Sequence, residues 1–534
     1  MKQDRLKRLF GAISLAGIGA SGIVAAQPQA SVGLTACQAL ASLGGPNVTV
    51  TLAESIAAGG FAPPGGRVGP SAGVFEMLPS FCRVAATLTP SSDSDIKIEV
   101  WLPEEGWNGK FQAVGNFGWS GSIGYAGLAA ALQRGYATAS TDTGHSGGSG
   151  AFALGHPEKL IDFGYRAVHE MTVQAKAVIE AFYDDRAAFS YWVGCSSGGR
   201  QGLKEAQRFP DDYDGIVAGA PANYWTHKSV QQLGVGHATL IDPASYIQPE
   251  KYGLIQRAVL TSCDTLDGVE DGVIEDPRRC EFDPGVLECA APDPVVAGDP
   301  ADAAEKGGTA DGDPPECLTP AQVEAARRIY APATNPRTGE EIFPGLEPGS
   351  ENGWAGLAAG PEPATAASDY YKFVVFEDPD WDFRTLDFDE DVALADATDN
   401  GLINANDPDI RPFVDRGSKL LMWHGWSDGV VAPRNTIAYL ERVQSVVGDD
   451  TSESVRLFMA AGVGHCRGGA GPDTFDLLTT LEQWVEEGAA PDRIVASRIE
   501  GGDVVRTRPL CPYPQVARYS GSGSTDEESS FVCR

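Results

Sequence analysis

The chain has 534 residues, of which 42% are hydrophobic, enough for one large domain with a long insertion or for two domains. Its 73 acidic and 40 basic residues give a formal net charge of −33. Such a surface repels nucleic acids and anionic membranes, so the charge argues against both as partners.

The first 26 residues have the composition of an export signal. A basic start is followed by an apolar run rich in Gly and Ala at 9–26, and Val24-Ala25-Ala26 suits a signal peptidase. The run is weakly apolar and barely long enough to span a membrane, which favours cleavage over anchoring. We therefore expect a secreted or periplasmic protein. Export also predicts disulfide bonds among the ten cysteines, although their spacing leaves the pairing open.

Strands and helices alternate along two parts of the chain. Strands are expected at 96–101, 110–114, 136–140, 191–193 and 213–220, and helices at 168–183 and 198–209. After an interruption, strands are expected at 419–423 and 454–459, and helices at 435–447 and 474–487. This rhythm predicts a mostly parallel sheet with crossover helices. Residues 27–222 and 410–534 form the predicted catalytic domain, and 223–409, rich in Pro, Gly and Asp, form an inserted lid domain.

The sequence Gly194-Cys195-Ser196-Ser197-Gly198 lies between a predicted buried strand and a predicted helix. That is the context of a G-x-S-x-G nucleophile elbow, whose small flanking residues allow the tight turn that exposes the serine hydroxyl. The helix N-terminus behind it would face the negative charge that develops during attack on an ester. Ser196 is the predicted nucleophile of an α/β-hydrolase fold. Ser197 is the alternative, but only Ser196 has glycine two residues away on both sides.

A serine nucleophile needs a base, and the chain order Ser, Asp, His of this fold narrows the choice among seven histidines. Asp428 follows the predicted strand at 419–423, and His465 is the only histidine after it. Asp428 is therefore the predicted acid and His465 the predicted base. An ordinary turn aspartate and a loop histidine are the alternatives. His424 is expected to order the Asp428 loop instead of acting as the base.

Several motifs then occur together. They are GCSSGGRQG at 194–202, YDGIVAGAPA at 213–222, HGWSD at 424–428, GHC at 464–466 and RTRPLCPYPQVARYSGSG at 506–523. Cys195 directly precedes the serine and Cys466 directly follows the histidine, so contact between serine and histidine would bring the cysteines within disulfide distance. In this combination the chain resembles the tannase and feruloyl esterase family over nearly the whole mature sequence. Within the family it is also similar to hydrolases of mono(hydroxyethyl) terephthalate.

The resemblance implies a pairing for all ten cysteines. The implied bonds are Cys195–Cys466, Cys37–Cys82, Cys263–Cys280, Cys289–Cys317 and Cys511–Cys533. The first of them would join the nucleophile loop to the base loop.

An oxyanion hole needs two backbone donors. One is expected from Ser197, the residue after the nucleophile, and the other from the loop at 115–119. The resemblance implies Gly118 for the second donor. A plain glycine turn is the alternative for this loop.

Residues 263–273 combine carboxylates with turn glycines, a composition that suits Ca²⁺, although the spacing is not that of an EF-hand. A solvated acidic turn is the alternative. The resemblance implies a structural calcium ion in the lid, bound by Asp264, Asp267 and Asp271 and by the backbone oxygens of Val269 and Val273. We expect no cofactor for catalysis.

The resemblance implies a serine carboxylic-ester hydrolase that acts on small aromatic-acid esters, most of all feruloyl esters, free or attached to polysaccharide or polyphenol. Galloyl esters are an alternative. Terephthalate monoesters are a weaker one, because their carboxylate would need a lid arginine and none lies between Arg337 and Arg384. Six lid aromatics could form an apolar wall for the ring or only the lid core: Tyr370, Tyr371, Phe373, Phe376, Trp381 and Phe383. The alternatives of other classes are a peptidase and a binding protein that has lost catalysis, against which the complete Ser, Asp, His set argues.

Overall fold

The computed structural model describes residues 35–64, 72–290 and 316–534, so the predicted export signal lies outside the described residues. The described strands are β1 (Val48–Ile56), β2 (Phe81–Leu88), β3 (Ile96–Pro103), β4 (Lys110–Val114), β5 (Ala137–Thr141), β6 (Phe189–Cys195), β7 (Gly215–Gly219), β8 (Ala333–Thr334), β9 (Glu341–Phe343), β10 (Lys419–Gly425), β11 (Val455–Ala460), β12 (Ile494–Glu500), β13 (Asp503–Leu510), β14 (Ala517–Tyr519) and β15 (Phe531–Cys533).

The described α-helices are α1 (Ala36–Ala39), α2 (Ala72–Glu76), α3 (Tyr125–Gln133), α4 (Pro157–Ile161), α5 (Ala167–Tyr183), α6 (Ser197–Arg208), α7 (Trp225–Leu240), α8 (Tyr252–Cys263), α9 (Pro320–Tyr330), α10 (Ala355–Ala358), α11 (Thr365–Tyr370), α12 (Glu390–Asp399), α13 (Arg411–Asp415), α14 (Arg434–Val447) and α15 (Leu477–Glu487). Among these helices, none combines the length and the apolar character that a membrane crossing requires.

Nine strands form the central sheet, in the order β1-β2-β3-β5-β4-β6-β7-β10-β11. The pairs β1–β2, β2–β3 and β3–β5 are antiparallel. The remaining pairs, from β5–β4 to β10–β11, are parallel and are connected through helices. The predicted α/β-hydrolase fold, a mostly parallel sheet with crossover helices, is confirmed.

The parallel strands are buried on both faces, which explains their short, continuous apolar sequences. Successive side chains of a strand point to opposite faces. In β7, Ile216 and Ala218 belong to the core on one face and Val217 to the core on the other. Helix α5 covers the first face with a stripe that includes Met171 and Ala175, at the spacing of one helical side.

Between β7 and β10 the described chain adds no strand to the nine-stranded sheet. It forms α7 to α13 and the short pair β8–β9. Its apolar side chains make a separate core that also includes Trp119, Ala222 and Val431. These three residues follow β4, β7 and β10, so this segment packs against the C-terminal ends of the parallel strands.

The strands and helices expected from the sequence are found within a few residues of their predicted bounds. The last helix begins at Leu477 instead of residue 474, because the carboxylate of Asp476 accepts the N–H of Thr479 and caps it. The antiparallel strands β1 and β2 and the C-terminal strands β12 to β15 were not predicted. In β1, exposed and half-buried residues follow one another without a strict alternation, which weakens the period-two signal.

Candidate active site

Ser196 lies in a sharp turn between β6 and α6. Its backbone has φ 62° and ψ −119°, a strained conformation for a residue other than glycine. The turn also needs glycine at 194, because a Cβ there would lie 2.4 Å from the carbonyl carbon of Gly198. The Ser196 N–H donates to the carbonyl of Gly219 at 2.9 Å, which ties the turn to the end of β7. These are the features of a nucleophile elbow.

Asp428 lies on the loop after β10 and is fully buried. Its Oδ1 accepts the backbone N–H groups of Val430 at 2.8 Å and Val431 at 2.9 Å. Its Oδ2 accepts from His465 Nδ1 at 2.7 Å and from His424 Nε2 at 3.0 Å. Because a carboxylate can only accept, His465 carries its proton on Nδ1 and leaves Nε2 free to take a proton.

The two partners shift each other's protonation in the direction that a base needs. Burial alone would raise the pKa of Asp428, but electrostatic attraction to His465 and the hydrogen bonds from His424 and His465 bring it below its ordinary value. Burial alone would lower the pKa of His465, but the charge of Asp428 and its hydrogen bond raise it above the ordinary value. The positive charge of Lys228 opposes that rise.

A disulfide bond connects the elbow to the base loop. Cys195 and Cys466 are bonded with their Cα atoms 6.0 Å apart, although 271 positions separate them in the sequence. The hydrogen bonds described for the chain include none from the Ser196 hydroxyl. The covalent link is therefore the direct connection between the two loops, and in free enzymes the serine–histidine hydrogen bond commonly tightens only when substrate binds.

Ser197, the alternative nucleophile, is 1% exposed and its hydroxyl donates to the carbonyl of Gly118 at 2.8 Å. The same bond holds the loop of Gly118, which has φ +49°, against the N-terminus of α6. Among the hydrogen bonds described for the chain, none uses the backbone N–H of Gly118 or of Ser197. Both amides are thus available to an oxyanion beside the elbow.

Two side chains that sequence reasoning missed hold this loop in position. The N–H of Asn116 donates to Gln201 Oε1 at 3.0 Å, and Gln201 Nε2 donates to Asn116 Oδ1 at 3.1 Å. Asn116 Nδ2 also donates to the carbonyl of Thr141 at 2.8 Å. Asn116 lies in the loop that was expected to supply a donor, but no local pattern indicates a partner 85 positions away.

His424 makes the contacts expected of a residue that orders the acid loop. Its Nδ1 accepts from the hydroxyl of Thr436 at 2.7 Å, and its Nε2–H is shared between Asp428 and the carbonyl of Val431. The ring is fully buried. Both nitrogens are engaged, so His424 has no free atom with which to accept the serine proton.

Residues 82–534 match the family model described as tannase and feruloyl esterase. The chain belongs to this family. An uncharacterised esterase from Xanthomonas campestris is 38% identical, with 93% of this chain and 91% of that protein covered. A probable feruloyl esterase B-1 from Aspergillus oryzae is 34% identical over 85% of this chain and 84% of its own. The crystal structure of feruloyl esterase B from the same fungus has a TM-score of 0.83 at 30% identity, with 93% and 99% covered.

The structure joins the ten cysteines in the five pairs that the family resemblance implied, and no described cysteine is free. Cys263–Cys280 lies beside the predicted calcium ligands, and Cys511–Cys533 ties β13 to the C-terminal strand β15.

His465 borders two cavities. One, of about 500 Å³, lies on the side of the acid loop and is lined by Ser427, Val430 and Gly353 among others. The other, of about 960 Å³, extends along the Cys195–Cys466 bond and is lined by Phe117 among others. His465 thus contributes to both cavities, whereas Ser196 is not among the residues that line either of them.

Most of the aromatic residues named from the sequence between β9 and β10 pack against one another. Tyr370 and Tyr371 are fully buried, and the ring of Tyr371 stacks on Trp381 with 5.3 Å between centroids. Phe376 stacks on Trp381 as well, and Phe383 is 2% exposed. The observed environment of these five residues is the separate apolar core of the segment between β7 and β10. Phe373 is half-buried.

The three aspartates among the predicted calcium ligands are close enough for their charges to act on one another. Burial raises the pKa of Asp267 to about 6, and the charges of Asp271 and Asp264 add to that rise. The Asp264 carboxylate accepts the N–H groups of Asp271 and Gly272, at 3.2 and 2.9 Å. Arg508 donates to Asp271 Oδ2 and supplies one positive charge. Carboxylate oxygens are ligands that a hard cation takes, but the structure does not bring one oxygen of each of these three aspartates within 4.8 Å of the others.

Within the described part of the chain, the one group of His, Asp and Glu that brings three ligand atoms within 4.8 Å lies elsewhere, at His169, Glu205 and Asp212. Glu205 is 1% exposed, and burial and the charge of Asp212 raise its pKa well above its ordinary value. A proton retained on Glu205 therefore accounts for this group without an ion.

Proposed function

We propose that this carboxylic-ester hydrolase cleaves esters of hydroxylated aromatic acids, feruloyl esters first among them, with Ser196 as nucleophile, His465 as base and Asp428 as acid. The observation that carries the proposal is the 2.7 Å hydrogen bond from His465 Nδ1 to Asp428, on a loop disulfide-bonded to the elbow. The names of the relatives in Aspergillus oryzae support the feruloyl substrate.

Hydrolysis proceeds in two steps of acyl transfer. His465 Nε2 takes the hydroxyl proton as Ser196 Oγ attacks the ester carbonyl, and Asp428 stabilises the imidazolium that forms. The N–H groups of Gly118 and Ser197 donate to the carbonyl oxygen as it becomes negative. His465 returns its proton to the alcohol that leaves. Water, activated by the same imidazole, then attacks the acyl-enzyme and releases the acid.

Residues 223–409 act as a lid over this centre in the proposal, since they pack on the loops after β4, β7 and β10. Asp264, Asp267 and Asp271, with the carbonyl oxygens of Val269 and Val273, bind a structural Ca²⁺ in that lid. The ion takes no part in bond cleavage. Disulfide bonds at all ten cysteines support a secreted or periplasmic enzyme that reaches esters on polysaccharide or polyphenol.

The test compares kcat/KM for methyl ferulate, methyl gallate, a terephthalate monoester and a p-nitroanilide peptide. We expect methyl ferulate to be the best substrate, and Ser196→Ala to abolish its hydrolysis while Ser197→Ala retains a measurable rate. If methyl gallate or the terephthalate monoester is the better substrate, the proposed acyl group changes from feruloyl to galloyl or terephthaloyl. Cleavage of the anilide alone, or no turnover of any ester, would overturn the proposal.

A further inference from the structure

Helix α7 carries a buried lysine that has no anionic partner in the described part of the chain. Lys228 is 3% exposed, and its ammonium donates one hydrogen bond, to Gln232 Oε1 at 3.1 Å. It also lies 4.5 Å from the centre of the Trp225 ring. Burial lowers the pKa of Lys228 to about 7, and no neighbouring carboxylate counteracts that effect.

Such an arrangement is costly for the free protein. An ammonium has three N–H groups, and one neutral acceptor and one aromatic face replace little of the hydration that burial removes. An apolar side chain of similar length would fill the same space without this cost. Buried, poorly compensated charges near a reactive centre are typical of ligand-binding positions.

Lys228 lies among the loops of the active site. Six positions before it, the N–H of Ala222 donates to the carbonyl of Ser196 at 3.1 Å. One turn after it, Gln232 Nε2 donates to the carbonyl of Val430, two residues after Asp428, at 2.8 Å. The segment 222–232, which carries the lysine, thus contacts both the turn of Ser196 and the loop of Asp428.

Lys228 is also near the loop of Gly118 and near His465. The Trp225 ring, over which the ammonium lies, meets Trp119 edge to face at 4.8 Å, and Trp119 directly follows Gly118. Trp225 Nε1 is itself buried without a hydrogen-bond partner. The positive charge of Lys228 is close enough to His465 to act on the imidazole.

We propose that Lys228 determines acyl specificity by binding an ionisable oxygen on the aromatic acid, either a ring hydroxyl or a second carboxylate. The inference rests on the proposed function and narrows its substrate class. Bound there, a carboxylate gives the ammonium the anionic partner that the protein does not supply, whereas a ring hydroxyl gives it a neutral acceptor oxygen. A cation for a terephthalate carboxylate would then come from α7, and the lack of arginine between Arg337 and Arg384 would not exclude that substrate.

The experiment measures kcat/KM of the wild type and of Lys228→Met with matched esters. Methyl 4-hydroxycinnamate is paired with methyl 4-methoxycinnamate, and monomethyl terephthalate with methyl 4-methylbenzoate. A hydrogen bond to a charged group predicts a loss of about 10- to 100-fold for the ester with the ionisable oxygen and less than about twofold for its partner. The pair that responds identifies the oxygen as phenolic or carboxylate. Lys97→Met, at an exposed lysine of β3, is the matched control.

An equal loss for all four esters, with the pH dependence displaced, would mean that Lys228 acts only through His465 and would overturn the proposal. So would unchanged rates for all four. A second readout needs no variant: we expect 4-hydroxycinnamate or terephthalate to inhibit the wild type at least about tenfold more tightly than the acid without that oxygen. Equal inhibition within both pairs contradicts the proposal. If the wild type hydrolyses none of the esters, the proposed function itself fails.

Discussion

Replacing Asp428 by asparagine keeps the shape of the side chain and removes its charge. Asp428 accepts four N–H groups, two from the backbone of its own loop and two from histidine rings. Asparagine offers a single oxygen. If that oxygen faces the backbone, its NH₂ group faces His465 Nδ1, which must then accept. The proton of His465 moves to Nε2, where it blocks the transfer from Ser196.

The opposite orientation points the NH₂ group at the N–H groups of Val430 and Val431, and so leaves buried donors facing one another. In either case the expected loss of kcat is about 10⁴-fold, or about 5 kcal/mol of activation free energy. The pH dependence gives an independent readout. Asp428 holds the pKa of His465 above its ordinary value, and His465 must be neutral to act. Without that charge its pKa falls, so the rise of residual activity with pH moves to lower pH.

The assay measures kcat and kcat/KM for methyl ferulate from about pH 4 to 9, with protein whose thermal unfolding has been checked. Asp409→Asn, at an exposed aspartate paired with Arg411, is the control and should match the wild type. A variant Asp428→Asn that retains a tenth of the activity, or whose profile does not move, would refute the role given to this carboxylate.

The remaining predictions concern the structure around the triad. Double alanine substitution of Cys195 and Cys466 should lower the free energy of unfolding by up to about 5 kcal/mol, because this disulfide closes a loop of 271 positions. The same variant should show a larger change in kcat than in KM. Double alanine substitution of Cys511 and Cys533, at the C-terminal disulfide, should leave kcat nearly unchanged. His424→Asn should lower kcat about 10- to 100-fold with little change in KM, which steady-state kinetics would check; a larger effect on KM would contradict a positioning role. EDTA should lower the midpoint temperature of thermal unfolding of the wild type, and added Ca²⁺ should restore it. The variant Asp267→Asn should unfold at the lower temperature both with EDTA and with Ca²⁺. A wild-type midpoint that does not depend on calcium would contradict the proposed calcium site.

The sequence contained enough to predict the central sheet and to nominate the triad. Ser196 is marked by its glycines and by the strand and helix around it, and His465 by being the only histidine after Asp428. The signal for Ser196 is local and the signal for His465 depends on the order of residues along the chain. Both can be read from the sequence without knowledge of the packing. Because the family also implied the cysteine pairs, even the bond between two loops 271 positions apart was expected.

Contacts that depend on packing alone could not be predicted. Asn116 and Gln201 pair where two separate segments of the chain meet, and no local sequence pattern indicates that they are partners. The burial of Lys228 likewise depends on the packing of separate segments. The sheet edge was missed for a related reason. β1 is paired on one side only, with β2, and its half-exposed residues lack the apolar signal that the buried strand β7 shows.

The central claim is that Ser196 is the residue activated by His465. A fluorophosphonate probe, which reacts only with an activated serine hydroxyl, followed by peptide mapping with tandem mass spectrometry, tests it directly. We predict one adduct per chain, on Ser196, absent after substitution of either Ser196 or His465 and present after Ser197→Ala. An adduct on Ser197, or labelling that persists without His465, would contradict the mechanism.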